Sequence, residues 1–68
     1  MKNNKLFQQK ILWQKHLSNK KFFFYYEDEN LILLRINNFP EESLYTLIDS
    51  LEIIDFDDPP QQWIIPLE

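Results

Sequence analysis

A chain of 68 residues with neither cysteine nor glycine makes one small domain and excludes disulfide frameworks, thiolate zinc centres and glycine-rich phosphate loops. Its hydrophobic content of 44%, with 16% aromatic residues, supplies the burial that disordered chains lack. The net charge of −4 hides a split, because six of the seven basic residues precede Phe22 while all eleven acids follow Tyr26 and meet only Arg35. The basic segment is expected to lie against the chain's own acidic half or to meet a charged partner.

Residues Asn4 to Ser18 predict a helix. Asn3 or Asn4 is its N-cap, and Leu6, Phe7, Ile11, Trp13 and Leu17 recur at three- and four-residue intervals. Leu12 falls outside that stripe, and Lys10 falls inside it with a stem long enough to reach water. Ser18-Asn19 then ends the helix.

Phe22 to Ile36 predicts a β-hairpin, since Phe-Phe-Phe-Tyr-Tyr and Leu-Ile-Leu-Leu-Arg-Ile flank the polar Glu-Asp-Glu-Asn. A three-residue loop of Asp28, Glu29 and Asn30, with Asn30 left-handed, puts Phe22, Phe24, Tyr26, Ile32, Leu34 and Ile36 on one face. Phe23, Tyr25, Leu31, Leu33 and Arg35 then share the other. A two-residue loop would instead group Arg35 with Phe22, Phe24 and Tyr26. In either register the second face is too apolar for ordinary solvent exposure.

Pro40 forces a connection at 37–40. The following stretch carries two patterns: Leu44, Leu47, Ile48 and Leu51 at helical spacing, and the β-rich runs Leu44–Ile48 and Ile53–Phe56 about Asp49-Ser50. The second hairpin is preferred, with a helix at about 40–51 as the alternative. Asp57 to Pro60 bends the chain, and Trp63-Ile64-Ile65 folds back on the core or lies as an edge strand. The expected fold is α+β: a single domain, 1–68, with an N-terminal helix packed on a small antiparallel sheet of three to five strands.

Little in the sequence points to catalysis. His16 is the sole histidine, and no spacing ties a base to Ser18, Ser43 or Ser50. Asp55, Asp57 and Asp58 cluster, but a calcium loop starting at Asp55 would need its turn glycine at Pro60 and its bidentate glutamate at Pro66. A carboxylate pair drawn from Glu27, Glu41 or Glu52 has little room for a substrate cleft. The reading therefore names no catalytic residue, cofactor or metal.

It names a partner surface instead, formed by Phe23, Tyr25, Leu33 and Arg35. An arginine among aromatics stacks on them and offers its fork to a carboxylate. The expected function is a non-enzymatic, cytoplasmic protein–protein interaction module that meets a second copy (a homodimer) or another protein. A sharper form is an acidic inhibitor of immunity or antitoxin type using Glu41 to Asp58. The alternative is a single-stranded nucleic-acid-binding protein combining the N-terminal lysines with Phe23 and Tyr25, which the acidic half opposes. A membrane-surface helix over Lys2 to Lys21, anchored by Phe7 and Trp13, ranks below both.

Overall fold

The alternation of aromatic and branched residues through the middle of the chain gives a continuous antiparallel meander. A computed structural model describes residues 4–50 and 52–67. After a 3₁₀ turn at Lys5–Gln8 come β1 (Ile11–Leu12), β2 (Gln14–Lys15), β3 (Phe22–Glu27), β4 (Asn30–Ile36), β5 (Tyr45–Asp49), β6 (Glu52–Phe56) and β7 (Trp63–Ile64). One sheet has the order β2-β3-β4-β5-β6, and β1 pairs with β7 in a second, parallel one. Among the described residues no helix is long and apolar enough to cross a membrane.

The expected α+β class is therefore corrected: the fold is nearly all β, and among the described residues the N-terminal segment forms a single 3₁₀ turn and short strands in place of the expected helix. The three- and four-residue spacing of Leu6 to Leu17 competes with a period of two, and the second wins from Ile11. Ile11 and Trp13 are buried, Leu12 and Gln14 are exposed, and Leu17 stands fully in solvent. An extended segment there gains β7 as a partner through β1 and β3 through β2, which an isolated helix would lack. Asn4 does cap, but a single turn: its Oδ1 accepts from the Leu6 N–H at 2.9 Å. The other candidate cap, Asn3, lies outside the described residues, as do Lys2 and Leu51.

The hairpin register is corrected too. Glu27 pairs with Asn30, so Asp28 and Glu29 alone form the loop, and Asp28 rather than Asn30 takes a positive φ of 57°. Aspartate tolerates that region at low cost, and a two-residue loop matches the strand twist. The second hairpin is present, with Asp49 opposite Glu52 and Ser50 at φ 55°. The alternative helix at 40–51 is absent, because Leu47 lies between Leu34 and Ile54 at the centre of the sheet. That position favours Tyr45, Thr46 and Ile48 as strand residues.

One side of the sheet faces the core. Phe23, Ile32, Leu34, Tyr45 and Leu47 meet Leu6, Ile11, Trp13 and Trp63, all buried. The Trp63 segment is thus a cover over the sheet, not an edge strand of it. Its Nε1–H donates to the Leu6 carbonyl at 2.9 Å, and its ring stacks on Phe7 with centroids 5.2 Å apart. Below this cover, Asn4 donates through Nδ2 to Asp49 and Glu52, both at 2.8 Å. That contact joins the N-terminal turn to the end of the second hairpin.

Candidate interaction surface

The pleat sends alternate residues of each strand to the side of the sheet away from the cover. The registers put Phe22, Phe24 and Tyr26 of β3 with Leu31, Leu33 and Arg35 of β4 on that open face. Thr46 and Ile48 of β5 and Ile53 and Asp55 of β6 continue it. Tyr26 is 57% exposed, Leu31 48% and Ile53 68%, whereas Phe24, Leu33 and Ile48 are half-buried by their neighbours. Phe24 meets Tyr26 edge-on at 6.0 Å. The result is one apolar patch spanning four strands.

Its other end is polar. The Arg35 Nε–H donates to Asn37 Oδ1 at 2.6 Å, Asn37 Nδ2 donates to Thr46 Oγ1 at 2.6 Å, and the Thr46 hydroxyl donates to Asp55 Oδ1 at 2.6 Å. This chain satisfies the buried Asn37 and Thr46 and fixes the Arg35 side chain. Among the described residues Arg35 forms no ion pair, and Glu27 faces Lys5 at 3.7 Å. Its guanidinium keeps donors available to another molecule.

The four residues expected to make the partner surface are divided by the sheet. Leu33 and Arg35 lie on the open face, while Phe23 is 2% exposed in the core and Tyr25 packs its ring on Trp13 at 6.0 Å on the covered side. The Tyr25 hydroxyl donates to Glu27 Oε1 at 2.9 Å. That bond to a carboxylate, and then burial, raise its pKa above the usual tyrosine range; burial does the same for Tyr45. Ile48 and Ile53 join the open face without having been singled out from the sequence. The two-residue turn, signalled by Asp28, would have regrouped the first hairpin but said nothing of these two.

Among the described residues no group of three or more histidine, aspartate or glutamate side chains gathers as metal ligands. His16 lies in the loop after β2, where Nδ1 accepts the backbone N–H groups of Ser18 and Asn19 at 3.2 and 3.0 Å. No family model matches the chain, and neither does any curated protein or solved structure.

Proposed function

We propose that the chain is a non-enzymatic protein–protein interaction module, acting in the cytoplasm, whose contact surface is the open face of the five-stranded sheet and whose partner is a second copy. The observation that carries the reading is the contiguity of Tyr26, Leu31, Leu33, Ile48 and Ile53, three of them 48–68% exposed. A sheet face of this kind marks a contact, because scattered surface apolar residues do not form such a block. Its charge favours self-association: in an acidic chain this face carries one cation, Arg35, and one anion, Asp55. Two copies would meet without like-charge repulsion. A nucleic acid would find there a single cation to neutralise its backbone.

Sedimentation velocity over a micromolar range tests this. The expected result is a concentration-dependent dimer that Ile53→Asp, at an exposed position, reduces to monomer with the fold retained. A wild-type monomer throughout the range would contradict it.

A second reading has its own observation. β6 forms an edge of the sheet, with Asp55 exposed and Asp57 and Asp58 just beyond. An acidic edge strand suits the addition of a basic strand from another protein, as an inhibitor of a basic target would do. Strong salt dependence of that association rate would distinguish it from the apolar contact.

A further inference from the structure

A groove of about 440 Å³ opens at the end of the first hairpin away from the Asp28 turn. Phe22, Phe23 and Ile36 of the hairpin line it, together with Pro66 and Leu67 of the C-terminal segment. Lys15, His16, Leu17 and Lys20 complete the lining, so among the described residues the groove contains no carboxylate. Two other hollows differ: one is lined by Glu41 and Glu42, and in the second Lys21 and Arg35 share the wall with Glu42. In a chain of net charge −4, an apolar groove whose described lining holds cations and no acid is a selective environment. The histidine adds a directed donor, because its Nδ1 accepts two backbone N–H groups, leaving Nε2 to carry the ring proton.

We propose that this groove binds a medium-chain alkyl carboxylate. The alkyl chain lies along Phe22, Ile36 and Leu67, and the carboxylate is received by the ammonium groups of Lys15 and Lys20 and the Nε2–H of His16. The volume lies near the lower end of ligand pockets, which run from roughly 300 to 1,000 Å³, and this selects a medium chain over a long one. Apolar burial supplies affinity, while charge-assisted hydrogen bonds at the rim set polarity and orientation. The site shares Phe22 with the open face but none of Tyr26, Leu31, Leu33, Ile48 and Ile53, which carry the proposed self-association.

The test is a titration of the full chain with decanoate, below its micelle threshold, followed by amide chemical shifts. The expected result is saturable shifts over His16 to Lys20 and at Leu67, with decylammonium binding at least roughly tenfold more weakly. The double variant Lys15→Gln/Lys20→Gln should lose about tenfold in decanoate affinity, the size of one charged hydrogen bond. Both lysines are exposed, so the variant's undisturbed spectrum will show that the fold survives. Equal binding of the two probes, an unaffected double variant, or shifts centred on Leu31 and Ile53 would overturn the proposal. So would tighter binding of a peptide ending in a leucine carboxylate than of decanoate.

Discussion

The two faces of the same sheet are built from nearly the same residue types and do opposite things. Leu34 and Leu47, side by side on the covered face, are fully buried beneath Leu6, Ile11 and the two tryptophans. Leu33 and Ile48, their immediate neighbours in sequence and paired with each other, point the other way and stay half-exposed. Apolar character alone therefore does not decide which side of a small sheet becomes core. What decides it is where the N- and C-terminal segments lie, and in this chain they suffice for one face only.

The largest effect expected from this difference is in stability. Leu34→Ala or Leu47→Ala should cost about 3–4 kcal/mol, much of the stability a domain this small possesses. Leu33→Ala or Ile53→Ala should cost under about 1 kcal/mol in the monomer while weakening self-association. Urea denaturation at low concentration, beside sedimentation, separates the two; equal losses on both faces would erase the distinction.

How far the sequence reveals this depended on which physical signal was local. The central hairpin was legible because residues 22–36 carry strand propensity and a polar turn in one continuous stretch. The excess of apolar surface on its second face was legible for the same reason. Its membership was not, because one residue of loop length exchanges every side chain between faces, and both Asp28 and Asn30 are able to take a positive φ. The N-terminal segment misled for a different reason. Its extended form rests on backbone bonds to remote strands, such as the Trp13 N–H to the Ile64 carbonyl at 2.9 Å, and no local pattern encodes a partner some fifty positions away. The groove between Lys15 and Leu67 was hidden for the same cause.

The cover can be probed next, through its contacts to the sheet. Asn4→Ala removes the cap on Leu6 and the donor to Asp49 and Glu52, and should cost about 2 kcal/mol. Thermal unfolding would check it; a loss near zero would mean that the N-terminal turn is held by packing alone. The two tryptophans sharpen the point at a smaller scale. Trp63→Phe loses the bond to the Leu6 carbonyl, whereas the buried Trp13 Nε1–H has no hydrogen-bond partner among the described residues. Trp63→Phe should therefore be the more costly by about 1 kcal/mol, and the reverse order would show that ring packing outweighs the bond.

The smallest expected effect is in alkali, and it also falls on the covered side. The folded state holds the Tyr25 and Tyr45 phenols protonated above the value near 10 at which the unfolded chain releases them. That contribution is fully present below about pH 10 and is lost as pH rises through the folded values. Urea midpoints measured at successive pH values should fall in that window, and less steeply in Tyr25→Phe. A flat profile would remove the role given to the Tyr25–Glu27 hydrogen bond.

The most direct measurement of the division between the faces is an isotope-filtered NOE experiment on a mixture of labelled and unlabelled chains. Cross-chain contacts are predicted among the methyl groups of Leu31, Leu33, Ile48 and Ile53, with none from Leu34 or Leu47. Absence of cross-chain contacts at high concentration, or contacts arising from Ile64 and Leu67 instead, would contradict the assignment of the open face as the surface through which this protein works.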